Sequence, residues 1–166
     1  MKILVSSCLL GEDTRYDGLN SSIAMSPKFR FKEKEIFMDI LCENEIFSIC
    51  PEVSGGLSIP RNKAEIISHN KPFKVLDIEQ NDVTINFLIG AKNALDICIE
   101  NGIKVALFKS KSPSCGNIEV YDGTFSQKLI KAKGLTARLL EDNGVKVFNE
   151  FELDDLRKYI KKEGRK

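Results

Sequence analysis

The chain has 166 residues, 42% of them hydrophobic and 30% charged, and a net charge of +1. That length and balance describe one globular domain with a real core, and near-neutrality supplies no global field for nucleic acid or a membrane surface. No run is long and apolar enough to span a bilayer, and Met1-Lys2-Ile3-Leu4-Val5 turns polar at Ser6, too early for a secretory signal.

Residues 2–6 read as a buried strand, followed by a polar, turn-rich loop over 11–18. Between Glu33 and Glu43, Ile36, Phe37, Ile40 and Leu41 recur at helical spacing. Residues 46–49 form a second strand, and a long loop carries Gly55-Gly56. Residues 73–78 fit an edge strand, while 55–80 as a whole sustains neither period. A helix starts near Asn81 and Asp82, runs on a stripe of Phe87, Leu88, Ala91, Ala94, Leu95 and Cys98, and stops at Asn101-Gly102. Residues 103–108 are the third strong strand, and 121–124 form a turn. A helix over 134–143, a strand over 145–148 and a basic terminal helix at about 153–163 complete the chain. Strands alternating with helices predict an α/β fold: one Rossmann-like domain over 1–166, with a mainly parallel sheet flanked by helices.

The cysteines carry the chemistry. Cys8, Cys50 and Cys115 each follow an apolar run and stand among Ser, Pro, Gly or Glu. If those runs are parallel strands, all three thiols emerge at carboxyl ends, where open α/β sheets gather ligands. Cys98 lies on a helical stripe and Cys42 beside one; both are expected to pack as small hydrophobes. An odd cysteine count in a reducing, cytoplasmic setting argues against a disulfide framework. Three converging thiols without a fourth suggest a metal centre with one open position. Thiolates suit zinc or iron–sulfur centres alike, and the one histidine, His69, sits in a polar turn where it could complete a zinc site.

Other candidates lie beside these thiols. Glu52, just past Cys50, is placed to move a proton. Ser110, Ser112 and Ser114 crowd the third loop, with Lys109 and Lys111 between or beside them. Arg15 and Asp17 are candidates for substrate binding, together with Ser110 and Ser114. Arg61 and Glu65 follow Gly55-Gly56, whose amides form a possible anion nest. Neither a Walker A motif nor a Gly-x-Gly-x-x-Gly fingerprint is present. Arg157, Lys158, Lys161, Lys162, Arg165 and Lys166 make a basic C-terminus, read as a solvated helix face, with an RNA contact as the sharper alternative.

Three segments resemble one family when taken together. They are Val5-Ser6-Ser7-Cys8-Leu9-Leu10-Gly11 through Arg15-Tyr16-Asp17-Gly18, Cys50-Pro51-Glu52-Val53 with Gly55-Gly56-Leu57 and Pro60-Arg61, and Ser112-Pro113-Ser114-Cys115-Gly116 with Tyr121-Asp122-Gly123-Thr124-Phe125-Ser126. They are similar to the bacterial and archaeal thiouracil desulfidases over about residues 3–150. The resemblance implies a [4Fe-4S] cluster on Cys8, Cys50 and Cys115, with one iron open to the substrate's sulfur. It implies non-redox release of hydrosulfide from a thiolated pyrimidine, 2-thiouracil giving uracil. Glu52 and Ser112 match the positions assigned here to proton transfer. The rival readings are a zinc hydrolase on the same thiols and an iron–sulfur sensor or sulfur carrier without turnover. The expected partner is a small thio-nucleobase.

Overall fold

The computed structural model describes residues 1–164; Arg165 and Lys166 of the basic C-terminus lie outside the described residues. Four strands, β1 (Lys2–Ser6), β2 (Glu45–Ile49), β5 (Val105–Phe108) and β8 (Lys146–Asn149), form one sheet in the order β2-β1-β5-β8. Every pairing in it is parallel. Helices α2 (Phe31–Glu43), α4 (Thr84–Asn101) and α5 (Leu135–Asp142) make the crossovers, and α6 (Leu153–Glu163) closes the chain.

The apolar runs of β1 and β5 are continuous because both faces of the sheet are covered. Ile3, Val5, Val105 and Leu107 face Ile36, Phe37 and Ile40 of α2 and Leu153 and Leu156 of α6. Leu4, Ala106 and Phe108 face Ala94 and Cys98 of α4 and Ala137 and Leu140 of α5. The pleat thus sends alternate side chains into two cores. From β1 the chain moves outward to β2, then returns to the other side of β1 to lay down β5. That reversal creates a crevice at the carboxyl ends of β1 and β5.

Two short helices, α1 (Ser7–Leu10) and α3 (Pro51–Ser54), begin directly at the ends of β1 and β2. Packing of α3 on α4 is very close. A Cβ on Gly55 would stand 2.0 Å from the Asn86 carbonyl oxygen, and one on Gly90 would stand 1.9 Å from that of Pro51. Gly55 is therefore a packing residue, which replaces the anion-nest reading of Gly55-Gly56. Asn86 completes the joint by donating to the Gly55 carbonyl at 2.8 Å.

The expected edge strand over 73–78 forms, but outside the main sheet. β4 (Lys74–Asp77) pairs antiparallel with β3 (Ala64–Ser68) in a separate ribbon and does not join the main sheet. A second ribbon, β6 (Val120–Tyr121) with β7 (Leu129–Ile130), follows the Cys115 loop. Glu65 joins the two insertions: its buried carboxylate accepts the amides of Gly123 and Phe125 at 2.9 and 3.0 Å. Cys42 is also corrected, being exposed rather than packed, whereas Cys98 is buried as expected. Among the described residues no helix is long and apolar enough to cross a membrane.

Candidate active site

Cys8 lies in α1 behind β1, Cys50 is the residue before α3 behind β2, and Cys115 lies in the loop behind β5. These strands are neighbours, so three thiols far apart in sequence reach one edge of the sheet. Charge on Cys50 reaches both Cys8 and Cys115, and charge on Cys8 reaches Cys115. Burial pushes the Cys8 thiol up to about 12, with Cys50 adding to the rise while Lys109 and Arg15 oppose it. Burial likewise pushes Cys115 up to about 12, opposed by hydrogen bonds from Ser6 and Ser114 and reinforced by Cys50 and Cys8. Among the described residues, no three His, Cys, Asp or Glu side chains are grouped to hold a metal ion. The thiols thus converge without closing as a single-ion site.

The sulfurs have donors around them. Ser6 donates its hydroxyl to the Cys115 sulfur at 3.5 Å and accepts the Lys109 amide at 3.1 Å, binding the end of β1 to the end of β5. Arg61 directs one nitrogen to the Cys50 sulfur at 3.9 Å. The cations Arg15 and Lys109 both act on Cys8. Glu150, paired with Lys109, acts on Cys8 in the opposite sense.

Glu52 occupies the first turn of α3, with its side chain 14% exposed. Its Oε1 accepts the Ser114 hydroxyl at 3.0 Å and its Oε2 accepts Arg61 Nε at 2.8 Å. The serine order follows from counting donors. Ser112 Oγ accepts the amides of Ser114 and Cys115 at 3.2 and 3.1 Å. Both its lone pairs are then occupied, so its own proton points to Ser114 Oγ, 2.9 Å away. Ser114 has one proton to give, and Glu52 Oε1 at 3.0 Å is its nearer acceptor, the Cys115 sulfur lying at 3.6 Å. The chain runs Ser112 to Ser114 to Glu52, with the carboxylate as its terminus. The start of α5 holds this loop in place: Leu135 donates its amide to Pro113 O, and Thr136 and Ala137 donate theirs to Ser114 O.

The remaining candidates are placed less centrally. Ser110 gives both its amide and its hydroxyl to Glu150, each at 2.8 Å. Lys109 Nζ meets the same carboxylate at 2.6 Å. Glu150, 3% exposed, is absent from the sequence-based candidates; its position just past β8, at a carboxyl end, was the available signal. Arg15 pairs with Asp17 at 3.0 Å and donates to Ser21 at 2.8 Å. Asp17 thereby serves its own loop, also accepting the Leu19 amide. Arg15, Ser21, Lys28, Lys109 and Glu150 line a cavity of about 320 Å³. Among the described residues His69 is not grouped with the thiols; its carbonyl accepts Arg138 at 2.9 Å.

Comparison with known proteins gives a consistent result. A family described as 2-thiouracil desulfurase matches residues 3–152. The uncharacterized protein YbbK of Bacillus subtilis (strain 168) is 39% identical over 160 residues, covering 93% of this chain and 99% of YbbK. A solved structure of the [4Fe-4S]-dependent thiouracil desulfidase TudS is similar at a TM-score of 0.83 and 38% identity, covering 96% of this chain and 97% of that one. With a match that runs through all three site cysteines and nearly the whole sheet, this chain belongs to the 2-thiouracil desulfurase family.

Proposed function

We propose that this protein is a [4Fe-4S]-dependent desulfidase that removes sulfur from a thiolated pyrimidine such as 2-thiouracil, with Cys8, Cys50 and Cys115 as the cluster ligands. The observation that carries the reading is the convergence of those three thiols just past the carboxyl ends of neighbouring parallel strands. The donor set fits the group: it is soft, has three members, receives O–H and N–H donors at Cys115 and Cys50, and among the described residues has no fourth thiol to close it. When bound, the cluster supplies a Lewis-acidic iron that draws electron density from a thiocarbonyl through its sulfur.

The chain's own residues handle the protons. Glu52 keeps acceptor capacity on both oxygens beyond the bonds from Ser114 and Arg61. It takes a proton from the water that attacks the thiocarbonyl carbon. Ser114 stabilises the charge on Oε1, and Ser112 supports Ser114. Overall, thiouracil and water become uracil and hydrogen sulfide, released as hydrosulfide, with no net oxidation or reduction. We assign the chain to the cytoplasm, where its thiols stay reduced, as one domain acting on a small molecule. The RNA alternative loses support on α6, where Arg157 and Lys158 pair with Asp154 and Asp155 of the same helix.

Anaerobic reconstitution with iron and sulfide, followed by addition of 2-thiouracil, tests the reading. The expected result is a brown protein releasing uracil and hydrosulfide in equal amounts without a reductant. A colourless zinc protein with turnover favours the hydrolase reading, and a brown protein without turnover favours the sensor or carrier.

A further inference from the structure

We infer that Arg61 is a positioning residue for this reaction, resting on the functional reading above: it fixes Glu52 and places a charged donor on the Cys50 sulfur. Arg61 is 7% exposed in its side chain. Its guanidinium reaches Glu52 Oε2 at 2.8 Å, Ser58 O at 3.2 Å, Thr14 O at 3.0 Å and Cys50 Sγ at 3.9 Å. Its backbone amide donates to Tyr16 O at 2.9 Å. One side chain therefore joins the loop after Cys8, the residue before α3 and the proton-transfer carboxylate.

The Thr14 carbonyl explains why a donor is needed at that point. With Cys50 protonated, its thiol donates to Thr14 O at 3.6 Å. As a metal ligand the sulfur has no proton, so the carbonyl and the sulfur become two facing acceptors. The same Arg61 nitrogen contacts both and relieves the conflict. A planar fork bearing five N–H donors can do this while also holding Glu52; a lysine ammonium has three donors on one atom and cannot span all four acceptors. A fixed cation and an N–H···S contact also stabilise the more negative, reduced form of a cluster, which raises its potential.

The test compares the parent protein, Arg61→Gln and Arg61→Lys, each reconstituted anaerobically and checked for folding by circular dichroism. Both variants are expected to take up the cluster. In Arg61→Gln the reduction potential falls, and kcat drops about 10–100-fold with little change in KM. In Arg61→Lys the potential stays near the parent value, because the charge remains, while kcat stays low. If Arg61→Gln does not fold, the Arg61→Lys kinetics decide. A parent-like potential in folded Arg61→Gln, or a parent-like kcat in Arg61→Lys, overturns the inference alone. A parent protein that takes up no cluster overturns the functional reading and this inference with it.

Discussion

At the scale of single residues, the site divides into groups visible in the sequence and groups visible only in the fold. Cys50, Glu52 and Cys115 stand beside Pro or Gly, and Cys8 beside Ser7, all past apolar runs, so local context marks them. Arg61 stands in the sequence only as a neighbour of Gly55-Gly56 and Glu150 not at all, because no local pattern announces which groups their long side chains meet. The serines were legible as a group but not in order; only their donors and acceptors set Ser114 against Glu52 and Ser112 behind it. Removing Glu52 leaves the cluster ligands untouched. Glu52→Ala should keep its iron and lose about 10²–10⁴-fold in turnover, read by steady-state kinetics beside iron analysis. Ser114→Ala leaves Glu52 Oε1 without its donor, so its kcat should fall further than that of Ser112→Ala, which leaves the direct Ser114–Glu52 contact in place. A larger loss in Ser112→Ala would reverse the assigned order.

At the scale of elements, the strands of the main sheet and its helices follow from apolar runs and helical stripes, and the structure places them within a few residues of expectation. The two ribbons were not legible. β3 carries the buried Glu65 next to the buried Ile66, which breaks the alternation that marks a strand, and β6 and β7 have two residues each. The α3–α4 joint offers a direct test. Gly90→Ala forces a methyl group into the Pro51 carbonyl. Overpacking of this kind typically costs about 1–3 kcal/mol, measurable by denaturant unfolding, and it should also lower turnover by displacing α3 and Glu52. The β4 end gives a pH test. Asp77 accepts the side chain of Asn81, the largest influence, and that of Asn62, which hold its carboxyl below its ordinary value. A depressed folded value gives stability that is present above the unfolded pKa and lost as pH falls through the folded one. Asp77→Asn should therefore flatten the acid limb of the stability curve while leaving neutral turnover intact; an unchanged limb would contradict this.

At the scale of the whole molecule, the strand order makes the site. Placing β5 beside β1, with β2 on the other flank, brings three loops to one crevice. The convergence was an expectation from alternating elements, and the topology supplies the neighbour relations that a linear pattern lacks. Helices of 13 and 18 residues make the first two crossovers, so each thiol reaches the crevice on a separate stretch of chain. Cys42 and Cys98 lie on helices instead, one exposed and one in the core. The most direct test is the iron and sulfide content of five anaerobically reconstituted variants. Alanine at position 8, 50 or 115 should abolish or destabilise the cluster, while Cys42→Ala and Cys98→Ala should retain it; equal iron in all five would contradict the ligand set.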